Sequence, residues 1–188
     1  MSRVGRDMSV ENRRRTAQHV EGSYQRMANN TSSDRLQPQP QKLLVDGMLG
    51  RLARWLRILG YDTVFERKAD DWTLIHLARA EGRLLLTRDR QLATRRIVPT
   101  LLIESEELAA QVRQVIAVLG PSPTGAFSRC PVCNQRLMPL SHNKARDRVP
   151  AHVHRTQGKF CLCPECDRVY WQGTHWDRMK EILNNCKT

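Results

Sequence analysis

The chain has 188 residues, 40% of them hydrophobic, which is enough for one ordinary α/β domain and a small second domain. No apolar run approaches the roughly 20 residues that span a bilayer, and the first residues lack a signal peptide's apolar segment, so we expect a cytoplasmic protein with no membrane association. The net charge of +12 predicts a polyanionic partner, because basic side chains release counterions from phosphates; a basic solvated surface remains the alternative.

Residues 1–41 have few large apolar side chains and no sustained hydrophobic period, and they end in a polar and proline-rich stretch. This composition predicts a disordered basic arm. A transit peptide is disfavoured, because Asp7, Glu11 and Glu21 interrupt the acid-poor pattern that such peptides need.

From residue 42 to residue 120, short apolar runs alternate with helical periodicity. Strands are predicted at 43–45, 63–65, 84–86 and 100–103, and helices at 49–59, 72–78, 91–95 and 106–119. Strands that alternate with helices form a parallel sheet with helices on both faces. We therefore predict an α/β domain over residues 42–120, joined by a proline-containing linker to a second domain over residues 126–184.

The second domain carries two copies of one motif, in which two cysteines are separated by two residues and proline follows the first cysteine. The four cysteines are Cys130, Cys133, Cys163 and Cys166. Two such knuckles complete a closed tetrahedral zinc site, which predicts a zinc ribbon with a structural ion. Unpaired cysteines or disulfides are the weaker alternative, because cytosolic chains rarely keep disulfides.

Other side chains of this segment are less clear candidates. Cys161 is expected to be a buried thiol or an occasional substitute ligand, and we expect surface or hydrogen-bonded groups at His142, His152, His154 and His175. Tyr170, Trp171 and Trp176 are expected in the small core rather than as stacking surfaces for bases. Residues 120–188 also carry half of the excess charge, with 11 basic and 5 acidic side chains, so nucleic-acid contact should depend on this segment.

Acidic side chains follow the predicted strand ends, at Asp46, Asp70, Asp71, Asp89 and Glu104. The carboxyl ends of parallel strands meet at one edge of a sheet. Clustered carboxylates there suit Mg²⁺ or Mn²⁺, which take oxygen ligands and can activate water against a phosphodiester. The alternative is that Asp70, Asp71 and Asp89 only cap helices, which aspartate does well.

Several polar and basic side chains flank this edge and are candidates for orienting water or phosphate: Thr87 and Arg88 beside the acids, and Arg51, Arg54 and Arg57 at helical spacing on the first helix. A solvated helix face explains the arginine row equally well.

Together these residues resemble a known family. The run from Leu44 to Arg57, LVDGMLGRLARWLR, followed by LGYD at 59–62, resembles the opening of the Mut-seven C-terminal ribonuclease domain. The similarity continues through LLTRD at 85–89, both cysteine knuckles and VYWQGTHW at 169–176. It covers about residues 42–184.

The resemblance implies a PIN-like nuclease domain with a zinc ribbon, in which Asp46, Asp70 or Asp71, and Asp89 bind Mg²⁺ or Mn²⁺ and RNA is cleaved. Glu104 is the one candidate for the further acid that such nucleases usually have. A non-catalytic RNA-binding adaptor, in which the acids are helix caps, is the competing hypothesis. The sequence leaves open whether the substrate is RNA or DNA and which proteins the chain binds.

Overall fold

A computed structural model of the chain describes residues 42–173. The predicted basic arm at 1–41 lies outside the described residues, as do His175, Trp176 and the rest of the predicted ribbon beyond residue 173. The described residues belong to one compact unit.

Residues 42–120 form a parallel sheet. Its strands are β1 (Lys42–Asp46), β2 (Asp62–Glu66), β3 (Leu84–Thr87) and β4 (Thr100–Leu102), in the order β2-β1-β3-β4. Between them lie α1 (Gly50–Ile58), α2 (Asp71–Glu81) and α3 (Arg90–Thr94), and α4 (Leu108–Leu119) follows β4. A 3₁₀ turn at Gly47–Leu49 joins β1 to α1. The predicted α/β class is confirmed.

Both faces of the sheet are buried at β1, where successive apolar side chains point to opposite faces and pack into two different cores. Leu43 and Val45 belong to a core that includes residues of α1 and α4. Leu44 points the other way and packs with Leu74 of α2 and Leu92 of α3. A strand buried on both faces reads as a continuous apolar run, as the sequence does at β1.

Residues 126–173, the cysteine-rich part, contain an antiparallel sheet of order β5-β6-β7. Its strands are β5 (Met138–Leu140), β6 (Phe160–Leu162) and β7 (Val169–Trp171). Two short helices, α5 (His142–Ala145) and α6 (Ala151–Thr156), lie between β5 and β6, with a 3₁₀ turn at Arg146–Arg148. Ala145, Val153 and Phe160 form a small core.

The first cysteine knuckle, residues 130–133, is joined to the amino end of β2 by a side chain of α1. Arg57 is buried, and its Nε donates to the Thr63 carbonyl at 2.8 Å while its Nη1 donates to the Val132 carbonyl at 2.6 Å. Arg57 is therefore a structural anchor and does not belong to a phosphate-facing row with Arg51 and Arg54.

Asp62, at the start of β2, is the centre of this contact. Its carboxylate accepts hydrogen bonds from Arg83 at 2.9 Å, from Arg129 at 3.2 Å and from Asn134 Nδ2 at 2.9 Å. Partial burial raises the pKa of Asp62, but the hydrogen bonds from Arg83 and Asn134 and the charge of Arg129 outweigh it, so the pKa lies below its usual value. The ionised form is thus favoured.

We expect Asp62→Ala to lower the free energy of unfolding by about 2 kcal/mol, because hydrogen bonds to charged groups are lost and Arg129 loses its carboxylate partner, while Arg83 keeps only Glu81. Urea unfolding followed by circular dichroism would measure this. Asp147→Ala removes an exposed carboxylate from the 3₁₀ turn at Arg146–Arg148 and serves as the control, with a change within about 0.5 kcal/mol. Equal stability of the two variants would contradict the assignment.

Candidate functional site

The strand order changes direction beside β1. The chain goes from β1 to β2 on one side and then crosses back to β3 on the other side. In open parallel sheets such a reversal leaves a crevice at the carboxyl ends of the two central strands, and ligands bind there. Asp46 is the last residue of β1, and Thr87 is the last residue of β3, so both lie at this crevice.

A chain of hydrogen bonds links the two strand ends. The Thr87 hydroxyl donates to Asp46 Oδ2 at 2.6 Å, and the backbone N–H of Asp89 donates to Thr87 Oγ1 at 3.0 Å. Thr87 is fully buried, which holds its hydroxyl in place. These hydrogen bonds bring the Asp46 carboxylate, the Thr87 hydroxyl and the backbone of Asp89 together at this edge.

Gly47, directly after Asp46, is packed against the loop between β2 and α2. A Cβ at this position would lie 2.6 Å from the Arg67 carbonyl oxygen. Since real Cβ atoms do not approach so closely, only glycine allows β1 to end at this point without moving that loop.

Asp89 is also the N-cap of α3. Its Oδ1 accepts from the backbone N–H groups of Gln91, at 2.7 Å, and Leu92, at 3.2 Å. Asp70 caps α2 in the same way, accepting from Thr73 N–H at 2.8 Å, and these hydrogen bonds lower its pKa. The cap interpretation thus applies to both residues, and for Asp89 it coexists with the position at the crevice.

The remaining acidic candidates are Asp71 and Glu104. Asp71 forms an ion pair with Arg95, with 3.1 Å between Oδ2 and Nη2, and Glu104 is exposed. Within residues 42–173, only the four cysteines form a set of three or more potential ligands whose atoms all lie within 4.8 Å of one another. The described acids do not form so tight a set.

The basic candidates divide into two groups. Arg51 and Arg54 are exposed on one face of α1, whereas Arg88 forms an ion pair with the exposed Glu106, with 2.5 Å between the partners. Arg51 lies on the first turn of α1, which follows Asp46 closely in the chain.

The four predicted zinc ligands come together and could hold a zinc ion. Cys130 Sγ lies 3.6 Å from Cys166 Sγ, and Cys133 Sγ lies 3.3 Å from Cys163 Sγ. Four sulfurs at about 2.3 Å from a tetrahedral ion would be separated by about 3.8 Å, so the distances fit.

The two knuckles have the same backbone geometry. Asn134 N–H donates to the Cys130 carbonyl at 3.0 Å, and Asp167 N–H donates to the Cys163 carbonyl at 3.0 Å. Asn134 has φ +69° and Asp167 has φ +56°, which is the left-handed conformation that asparagine and aspartate tolerate better than most residues.

The hydrogen bonds around Cys130 favour its thiolate. Burial raises the pKa of Cys130, but hydrogen bonds from Tyr170 Oη and from the backbone N–H groups of Cys133 and Val132 lower it to about 6. Cys161 lies outside the set, on β6, and burial raises the pKa of its thiol, so it is not one of the clustered ligands.

Two histidines of the cysteine-rich part contact each other, whereas Trp171 is exposed. The exposed His142 and the half-buried His154 are hydrogen-bonded, each through its ring Nε2 to the backbone carbonyl of the other, at 2.8 and 2.9 Å. Trp171 is 37% exposed, so the expectation that it lies in the small core is wrong. It lies on β7, an edge strand of the antiparallel sheet, and lines a groove that the sequence did not reveal.

Comparison with known proteins assigns the family. Residues 41–183 match the model of the Mut7-C RNAse domain. The chain belongs to this family. No curated protein matches, and no solved structure matches.

The family boundaries include both the parallel sheet and all four clustered cysteines, so both features belong to the Mut7-C match. The match agrees with the resemblance found in the sequence. No helix among residues 42–173 of this Mut7-C chain is long and apolar enough to cross a membrane.

The cap role of Asp89 predicts a stability difference between two variants. Asp89→Ala should lower the free energy of unfolding by about 1 kcal/mol, whereas Asp89→Asn should leave it nearly unchanged because asparagine caps equally well. Thermal or urea unfolding measures both. If the two variants were equally destabilised, the carboxylate would have a structural role other than capping.

Proposed function

We propose that this Mut7-C domain hydrolyses RNA at the crevice between β1 and β3, with Mg²⁺ or Mn²⁺ held by Asp46 and Asp89. The observation that supports the proposal is the hydrogen-bonded series Asp46, Thr87 and Asp89 at the point where the strand order reverses. The family description supplies the reaction class.

The donor atoms fit a hard divalent cation. Asp46 uses Oδ2 to accept from Thr87, and Asp89 uses Oδ1 to cap α3, so each carboxylate has a second oxygen to offer. Oxygen ligands are what Mg²⁺ and Mn²⁺ prefer. When bound, such a cation activates water and stabilises the charge that develops on the phosphodiester.

The protein's own residues then hold the reactants. Thr87 fixes the orientation of Asp46 from its buried position, and we assign the further acid to Asp70 or Asp71, at the start of α2. Arg51, Arg54 and Arg88 are the basic side chains that we assign to the phosphates, because cations there counter the charge of the substrate.

We further propose that the four clustered cysteines hold one structural zinc ion. Four thiolates leave no open coordination position, which is typical of structural rather than catalytic zinc. The ion would join the two knuckles and so fix β6 and β7 relative to the first knuckle, which contacts α1 and β2.

Elemental analysis of the purified protein should find one zinc per chain, and Cys133→Ser should lose it, since the ion needs all four sulfurs. Cys161→Ser is the matched control, because it removes a nearby thiol that is outside the cluster, and it should retain zinc. Protein that is correctly folded but free of zinc would refute the assignment, as would zinc loss in the Cys161 variant alone.

Asp89→Asn should lower the rate of RNA cleavage in saturating Mn²⁺ roughly a thousandfold, since losing a metal ligand removes several kcal/mol of transition-state stabilisation. Binding of RNA should change little. Asp147→Asn, at an exposed position in the cysteine-rich part, is the control and should cleave at the wild-type rate.

The Asp89→Asn variant also distinguishes the enzyme from the second candidate function, a non-catalytic RNA-binding adaptor. The capping hydrogen bonds of Asp70 and Asp89 favour that second candidate. If Asp89 only caps α3, asparagine replaces it without effect. If the Asp89→Asn protein cleaves RNA at the wild-type rate, Asp89 does not belong to the active site. If the wild-type protein does not cleave RNA, the adaptor is favoured.

A further inference from the structure

A groove of about 590 Å³ lies between α1 and the cysteine-rich part. One wall is the exposed face of α1, and the other is formed by β6, β7 and the segment before the first knuckle. Its lining includes Arg51, Arg54, Trp55, Lys159, Cys161 and Trp171.

The lining combines aromatic rings with positive charge. Trp171 is 37% exposed and Trp55 is half-buried, and apolar side chains fill most of the surface between them. Arg51, Arg54 and Lys159 are exposed at its border, and no acidic side chain among residues 42–173 lines it.

Rings beside cations are the surface that unpaired nucleotides prefer, because bases stack on the rings while the cations contact the phosphates. A cavity of this volume holds a drug-sized group, hence about two nucleotides, and is too small for a double helix. The lining therefore favours a single strand over a duplex.

The groove also leads toward the proposed active site. Arg51, Arg54, Trp55 and Ile58 lie at helical spacing along one face of α1 and all line the groove. The first turn of α1 carries Arg51 and is joined to Asp46 only by the 3₁₀ turn at Gly47–Leu49. A strand that follows this face would approach the crevice from the ribbon side.

We propose that this groove binds unpaired RNA, with a base stacked on Trp171 and phosphates held by Arg51 and Arg54, and feeds the strand to the crevice at Asp46. The inference rests on the proposed function, which supplies RNA as the polyanion, and it adds that the substrate is single-stranded and that the cysteine-rich part forms one wall of its binding surface.

The test is fluorescence anisotropy with a labelled oligouridylate of about ten nucleotides, in buffer without added Mg²⁺ or Mn²⁺ and at one fixed salt concentration. Trp171→Leu should weaken binding about tenfold, whereas Trp171→Phe keeps a stacking ring and should stay within about threefold of wild type. Both variants must retain the wild-type metal content and thermal midpoint.

The charged wall is tested by Arg54→Gln, which should reduce the salt dependence of binding by about one counterion. Arg113→Gln is the matched control, because Arg113 is an exposed helical arginine on α4 that does not line the groove. It should leave the slope unchanged.

A paired RNA hairpin of similar length should bind more weakly to the wild-type protein and should be insensitive to Trp171→Leu. The inference is overturned if Trp171→Leu binds oligouridylate as tightly as wild type, if the hairpin binds equally well through the groove, or if the variant only lowers the thermal midpoint. The last result would show that Trp171 stabilises the fold and does not bind RNA.

Because binding is measured without the catalytic cation, the two proposals fail separately. Normal cleavage by Asp89→Asn, together with the expected Trp171 effects, would refute the active site and support the groove. Cleavage lost in Asp89→Asn, with unchanged binding by the Trp171 variants, would refute the groove alone.

Discussion

Parallel alignment of the four strands is the constraint on which the rest of the structure depends. Because β1 to β4 all run the same way, their carboxyl ends meet at one edge and their amino ends at the other. Asp46, Thr87 and Asp89 lie at the first edge, and Asp62 and Arg83 lie at the second, where they hold the first cysteine knuckle through Arg129 and Asn134. One sheet thus separates the proposed chemistry from the anchoring of the ribbon, and α1 connects the two edges.

This arrangement gives the cysteine-rich part a role beyond its own stability. Arg57 and Asp62 hold the first knuckle against α1 and β2, and the four clustered cysteines link that knuckle to the second one, which follows β6. The position of Trp171 opposite α1 therefore depends on both contacts. If the cysteines hold zinc as proposed, loss of the ion would disturb the groove beside Trp171 before it disturbed the acidic crevice.

Much of the fold could be predicted from the sequence, because its signals are local. Apolar runs predicted the parallel strands to within one residue at each end, and α2 ends at Gly82, where φ is +61°. The four cysteines were predicted by spacing alone. The contacts of Arg57 and the groove beside Trp171 were not predictable, since each depends on segments far apart in the chain. The carboxylates were intermediate: their common edge followed from the parallel direction of the strands, but the hydrogen bond between Thr87 and Asp46 depends on rotamers that no spacing reveals.

The central claim is that Asp46 and Asp89 share one divalent cation, and anomalous diffraction from crystals soaked in Mn²⁺ tests it most directly. We expect an anomalous peak at the carboxyl ends of β1 and β3, about 2.0–2.3 Å from a carboxylate oxygen of each residue. Crystals of Asp89→Asn, soaked in the same way, should show a weaker peak or none. A wild-type crystal whose Mn²⁺ peaks all lie away from Asp46 and Asp89 would contradict the claim.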